Sequence, residues 1–405
     1  MGEEDRRAEA ARNGRLSTDW RAVWAIFAAG LAAGATMTKV PPALPAMRAE
    51  LQLALVESGF LHTVMYAIGG GAGVFCGALA DRFGQKRAAL LGLACMLAGG
   101  VLGALSSQFE VILFARFLDG VGFVLMAVSA ASLLIAASQP RDRPISFAIW
   151  SCYMPTGGTL ILLLAPFALA SLGWRSLWLG LALYTAACFV LVALWVPTPA
   201  FGGAIASMRL LRESFFRPGI LLLCLAFMCY VGQWVSVMTW LPTFVVERGA
   251  SASSASLVTA AFVAANIPGN LLGGYLLVRR VPRSTLTAVG AAAMGLTAVG
   301  LLSSGAPDWL RFACVLLFSL LGGVIPSSIF AGTPTHAKSP EHIATTNGMV
   351  MQYSHIAQFI VPIAVAWVAS RWGGWSATLG VMLLLSALGV AAGLGIGRYE
   401  GKLSP

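Results

Sequence analysis

The sequence predicts an all-α membrane protein with about twelve transmembrane helices in two pseudo-symmetric six-helix bundles, and three observations predict it. The first is composition: of 405 residues, 58% are apolar and only 10% charged, with a mean hydropathy of +0.81. A water-soluble domain needs roughly a quarter of its residues charged to cover its surface, so most of this surface faces lipid. The second is run length. The apolar stretches are ~20 residues and unbroken, as spanning helices require, and not the alternating ~10-residue segments of a barrel. In hydrocarbon every backbone polar group needs an internal partner, which leaves helices as the spanning element. The third is charge placement, taken up after the spans.

Twelve runs fit helical spans: Trp20–Pro41, Glu57–Ala80, Ala88–Ser106, Glu110–Ala136, Pro144–Ala170, Leu177–Val196, Pro218–Phe244, Ser254–Val278, Thr285–Ser304, Trp309–Gly332, Ala344–Ala369 and Trp375–Ile396. With the N-terminus inside, alternate gaps on the cytoplasmic side collect nineteen Lys and Arg residues, against five (Arg48, Arg175, Arg248, Arg311, Arg371) on the other side. Lys and Arg are retained on the cytoplasmic side of membrane proteins. The bias therefore predicts an even number of spans with both termini in the cytoplasm, and a cytoplasmic N-terminus with short loops points to an inner membrane. It also disposes of the net charge of +10 as a nucleic-acid signature, because the basic residues sit in short inter-span gaps. Met1–Arg21 carries both signs and no apolar core, and reads as a cytoplasmic tail. The seven cysteines all lie inside apolar runs without metal-ligand spacing, and read as small packing residues.

Division into halves rests on the chain's midpoint and on internal similarity. Residues 1–19 form a tail, 20–196 the first bundle, 197–217 a Pro-, Gly- and Arg-rich linker, 218–397 the second bundle and 398–405 a second tail. Gly77-Ala-Leu-Ala-Asp81-Arg82 after the second span is answered by Gly274-Tyr-Leu-Leu-Val278-Arg279, and Gly173-Trp174-Arg175-Ser176 by Gly374-Trp375-Ser376. Both separations are about half the chain, the pattern of parallel repeats.

The segment Gly77-Ala-Leu-Ala-Asp81-Arg82-Phe-Gly84-Gln-Lys86-Arg87 has readable physics. Gly77 allows close helix approach and Gly84 a tight turn. Asp81 suits the positive N-terminal end of a neighbouring helix, and Arg82, Lys86 and Arg87 hold the loop inside. This segment resembles the loop signature of the major facilitator superfamily in full. The resemblance implies that the loop clamps the two halves in one state of an alternating-access cycle, while Val278 deprives the second copy of its acid. Arg116 with Gly120 and Gly122 resembles the family's Arg-x-x-x-Gly-x-Gly pattern. Asp119 lies three residues on, so the pair can share a helix face, either as a structural ion pair or as a coupling element. Pro155-Thr156-Gly157-Gly158 matches the antiporter signature only in part. The Lys-x-Pro-Pro-Ala-Leu-Pro stretch from Lys39 is similar to the cyanate- and nitroimidazole-porter branch.

In such folds the solute site lies near mid-membrane between the halves, so polar residues stranded in spans are the candidates. They are Thr36 and Lys39 on the first span, His62 and Tyr66 on the second, Tyr230, Gln233 and Trp234 on the seventh, Asn266 and Asn270 on the eighth, and Gln352, His355 and Gln358 on the eleventh. The bland alternative for each set is interhelical hydrogen bonding. Lys39 either faces a cavity and attracts an anion or snorkels to the outer interface. His336 and His342 read as ordinary loop residues. Apart from Asp119, the acids in the spans are Glu57 and Glu110, each at the start of its span, which disfavours a cationic cargo.

The expectation is a secondary transporter for a small anion, working by alternating access and coupled to protons or to exchange, as a monomer. The alternative is a proton-linked exporter of drugs or metabolites, favoured if Asp119 faces the cavity and Lys39 the lipid. A membrane enzyme finds no nucleophile constellation, metal-ligand set or phosphate loop. No cofactor and no nucleic-acid partner are expected.

Overall fold

The computed structural model describes residues 17–71, 83–139, 142, 146, 149–150, 153–198, 217–337 and 343–402, and within them the regular structure is all helix, without strands. Eleven helices there are long and apolar enough to cross a membrane. The second expected span is helical from Leu55 to Thr63 and again over 65–71. Its continuation, with Cys76, Gly77, Asp81 and Arg82, lies outside the described residues, as do Cys152, His342 and 199–216 of the expected linker.

Helix α1 (Trp20–Thr38) opens on Asp19, whose carboxylate accepts from the Ala22 amide at 3.1 Å, satisfying one orphan donor of the first turn. It stops at Lys39, and α2 (Val40–Leu51) starts at once. Pro41 and Pro42 have no N–H to offer the carbonyls of Met37 and Thr38, so the ladder breaks there. The first span is thus a broken helix running ten residues beyond its expected end at Pro41. α2 closes at Gln52 in the left-handed region, φ 53°.

The first bundle continues with α3 (Leu55–Thr63), α4 (Gln85–Leu105), α5 (Phe109–Ala137), α6 (Tyr153–Ser171) and α7 (Gly173–Trp195). The second has α8 (Pro218–Glu247), α9 (Ala252–Val278), α10 (Arg283–Leu302), α11 (Asp308–Gly322), α12 (Val324–His336), α13 (Ile343–Arg371) and α14 (Leu379–Gly401). α11 and α12 form one broken span interrupted at Gly323.

Lipid supplies no hydrophobic drive between helices, so close backbone approach at small residues holds them together. A side chain at Gly34 would fall 2.9 Å from the Tyr153 carbonyl, joining α1 to α6, and one at Gly92 would fall 2.8 Å from the Gly122 carbonyl, joining α4 to α5. In the second bundle Gly273 sits against the Val324 backbone.

The internal repeat has a geometric counterpart. Gly173 (φ 76°) and Gly374 (φ 81°) both adopt the left-handed conformation that favours glycine. Each is followed by a tryptophan whose indole N–H donates at 2.7 Å to a glutamate near the end of its half's first span: Trp174 to Glu50 and Trp375 to Glu247. Arg175 also pairs with Glu50.

The halves meet along α6 and α9, along α2 and α8, and along α3 and α13, where Phe60 meets Phe359 and Gly59 faces Ile363 and Trp240 of α8. At the end away from the termini, Arg48 of α2 bonds Glu247 of α8 across the halves at 3.1 Å, while within the second half Trp240 donates to the Pro362 carbonyl at 3.0 Å. Further along, Gln352 donates to the Gly70 carbonyl at 2.9 Å.

Candidate functional site

The break between α1 and α2 sets Lys39 inside the first bundle, 1% exposed. Its ammonium lies 2.7 Å from Asp119 Oδ2 and 4.3 Å from the centroid of the Trp178 ring. Arg116, one turn before Asp119 on α5, reaches the same oxygen at 2.6 Å. The remaining donors of Arg116 are used as well: Nε donates to the Leu61 carbonyl at 3.0 Å, Nη1 also to the Thr36 carbonyl at 3.1 Å, and Nη2 meets Met65 Sδ at 2.8 Å. Arg116 and Asp119 are both 0% exposed.

Two cations thus share one carboxylate oxygen in a water-poor interior. A charge there is costly unless paired, and with all three groups ionised the cluster keeps one positive charge in excess. Among the described residues, Asp119 Oδ1 has no hydrogen-bond partner, and neither ring nitrogen of His62 nor the Tyr66 hydroxyl has one. The His62 and Tyr66 rings are 5.9 Å apart and both lie within electrostatic reach of Arg116. Tyr66 in turn lies 6.1 Å from His355 on α13, which also meets Phe123 of α5. A side chain at Gly69 would strike the His355 imidazole at 2.7 Å, so this glycine lets the histidine cross between the halves.

The structure therefore brings Thr36, Lys39, His62, Tyr66, Arg116, Asp119 and His355 together. Lys39 is not at an interface: the snorkelling alternative gives way because a carboxylate 80 positions away neutralises the ammonium in place. Other candidates form networks of their own. Asn266 donates to the Tyr230 hydroxyl and to the Ser319 carbonyl, both at 3.0 Å, Trp234 donates to Ser319 Oγ at 2.9 Å, and Asn270 turns back to Asn266. These contacts brace α8, α9 and α11 around the break at Gly323. Gln233 accepts from Ser386 of α14 at 3.0 Å, and Gln358 reaches Ser354 on its own helix.

Of the expected gating loop, Gly84 is left-handed, φ 94°, and precedes α4. Lys86 donates to the Ala193 carbonyl of α7 at 2.8 Å, while Arg87 is exposed. His336 corrects an expectation. It ends α12 rather than lying in a loop, is buried, bonds Glu400 at 3.0 Å and stacks on Tyr399. The tenth span runs four residues past its expected end at Gly332, because Pro334 fits within its last turn. Trp178 and Met65 were not foreseen as partners of the buried cations. Nothing local in the sequence distinguishes them from other apolar span residues.

Broken helices, two repeated bundles and a charged cluster sealed inside define a membrane transporter. The sequence model of the Major Facilitator Superfamily matches residues 25–362. The chain belongs to that superfamily, and it is a transporter and not an enzyme.

Over 235 residues the chain is 31% identical to the 3-(3-hydroxy-phenyl)propionate transporter of Escherichia coli (strain K12), a match covering 56% of this chain and 58% of that protein. It is 24% identical over 371 residues to NiaP, a proposed niacin/nicotinamide transporter of Bacillus subtilis (strain 168), covering 88% and 90% of the two chains. Further partial matches include the cyanate transport protein of Escherichia coli and resistance proteins. Among solved structures, a bacterial homolog of the human lysosomal transporter Spinster, inward-facing and unoccupied, shares the fold. The TM-score is 0.76 at 16% identity, over 93% of this chain and 94% of that one.

Proposed function

We propose that this transporter moves a small monoanion, by alternating access coupled to protons or to exchange. The observation that carries the reading is the single carboxylate of Asp119 held between two fully buried cations, Lys39 and Arg116. An anion entering beside them meets the excess positive charge in a medium that screens it poorly. Lys39, on the hinge of a broken helix, is the group that can exchange Asp119 for the cargo. Arg116 is tied to three further acceptors and acts as the fixed charge. His62, Tyr66 and His355 supply the unpartnered or ring contacts that would shape the site. Asp119, once released, is the proton acceptor for coupling. The drug-exporter alternative wanted Lys39 against lipid, and its burial on Asp119 favours the anion reading. The relatives' names add a phenylpropionate, niacin together with its uncharged amide nicotinamide, and one inorganic anion, cyanate.

In the same reading, 20–196 and 218–397 are the two bundles, 197–217 is the linker, and both termini lie in the cytoplasm of a cell whose inner membrane holds the protein as a monomer. The Lys and Arg bias supports that orientation.

The experiment is thermal stabilisation of the purified protein by a panel of small anions and cations, for wild type and Lys39→Ala. A ligand at a hundred times its dissociation constant stabilises the folded state by about 2.7 kcal/mol. Anions should stabilise wild type and not Lys39→Ala. Stabilisation by cations alone, or an unchanged response in Lys39→Ala, would overturn the reading.

A further inference from the structure

Away from the central cluster, at the end of the second bundle where Glu247 meets Arg48 of the first, α8 and α11 part to leave a cavity of about 230 Å³. Its walls are apolar, with Leu241, Phe244, Val258, Leu301, Phe312 and Val315 among them. Its rim is charged. Arg248, just past α8, donates through Nε and Nη2 to Asp308 Oδ1 at 3.3 and 2.8 Å, and Arg311 Nε lies 3.9 Å from the same oxygen.

The two arginines differ in what they have left to give. Arg311 is buried, and its donors are committed to the carbonyls of Leu301, Ser303, Ser304 and Ala306. It is a pinned positive charge at the cavity wall. Arg248 is 41% exposed, and among the described residues its hydrogen bonds use only Nε and Nη2, which leaves Nη1 for a ligand. Both guanidinium groups stand over the Phe244 ring, at 5.7 and 5.8 Å from its centroid. Against them stands one acid, Asp308, 80% exposed. The rim thus repeats the central arithmetic of two cations to one carboxylate, but open to water.

We infer that this cavity is a second binding site, for a compact water-borne carboxylate with an apolar body. The body would fill the space between α8 and α11, and its carboxylate would take Nη1 of Arg248 in competition with Asp308. Size agrees: a cavity of about 150 Å³ lined by apolar side chains holds a benzene ring, so this one takes a ring or branched chain with a short acidic arm. Charge and polarity agree as well, with cations only at the wet rim and carbon beneath. The inference stands apart from the central-site reading, since the two share no residue.

The test is calorimetric titration of the full chain in detergent with benzoate and octanoate, with benzamide as the uncharged control. Wild type should bind the acids and not benzamide. Arg248→Gln should weaken binding about ten-fold or more, the loss of a charge-assisted hydrogen bond, and Val258→Phe should abolish it by filling the space. Asp308→Asn should strengthen it, because the competing carboxylate is gone; a merely structural role for the rim would not give that opposite sign. Lys39→Met should leave this binding in place while removing any central response, so the two sites fail separately. Binding untouched by Arg248→Gln and Val258→Phe, or no binding of either acid at millimolar concentration, overturns the inference. So does a co-purifying anionic phospholipid, identified by mass spectrometry, that is lost in Arg248→Gln, since the occupant is then a lipid.

Discussion

Replacing Asp119 by asparagine removes the only negative charge from the buried cluster and leaves Lys39 facing Arg116. The distances of 2.7 and 2.6 Å to a common oxygen place the two cationic nitrogens within about 5.3 Å of each other. At an effective dielectric constant of ~20 two like charges at that separation repel by about 3 kcal/mol. Breaking a buried pair by removing one partner costs about 3–5 kcal/mol in general, so the two estimates agree. Lys39→Met keeps the neutral pair of Arg116 with Asp119 and should cost clearly less, while losing the contact with Trp178. The double variant, Lys39→Met with Asp119→Asn, removes the repulsion and should be more stable than Asp119→Asn alone by about 3 kcal/mol, a coupling readable in a double-mutant cycle. The assay is reversible chemical or thermal unfolding of the four proteins in one detergent, followed by tryptophan fluorescence. If Asp119→Asn and Lys39→Met destabilise equally, or if the double variant is no better than Asp119→Asn, the shared-carboxylate account is wrong.

Three other outcomes are expected. A side chain at Gly120 would meet the Met65 backbone, with its Cα at 2.7 Å and its carbonyl oxygen closer still; Gly120→Ala should therefore lower stability by about 1–3 kcal/mol or more, measured by thermal unfolding, and an unchanged midpoint would refute the packing argument. Arg48→Ala removes a half-exposed ion pair worth at most about 1 kcal/mol, so the unfolding midpoint should hardly move. Maleimide labelling of a cysteine placed at Gly59 should nevertheless speed up, because the Arg48–Glu247 contact joins the halves; equal labelling rates would deny it a gating part. Gln233→Leu gives up the bond from Ser386 and should cost about 1 kcal/mol while leaving stabilisation by anions intact; a lost anion response would place Gln233 in the cargo site after all.

Much of the fold was legible because lipid makes sequence speak locally. An apolar run of ~20 residues has few other uses, and the prolines after Lys39 announce the break that the structure places there. The repeat was legible too, down to the glycine-tryptophan pairs whose indoles meet Glu50 and Glu247. The site was legible only as an inventory. Polar residues within spans could be found by eye, but whether each faces a neighbour or the space between the halves depends on rotation about the helix axis, which packing decides. Gln233 and Lys39 look alike in the sequence, yet one meets Ser386 and the other Asp119, 80 positions away. His336 was misread for a related reason. Apolar residues thin out at Gly332, but a helix end stays ordered when its polar side chains find partners, here His336 on Glu400 and Thr335 on Arg283.

The position of Lys39 on the break has a mechanical side. The residue that ends α1 also begins α2, and nine residues further on, some 14 Å at 1.5 Å per residue, α2 carries Arg48 to its contact with Glu247. In the proposed cycle this puts a charge on the pivot of a lever whose far arm holds a latch. Drawing the ammonium off Asp119 would turn the arm, and turning the arm would load the latch, so that occupancy beside Asp119 and the contact at Glu247 would be read by one short helix.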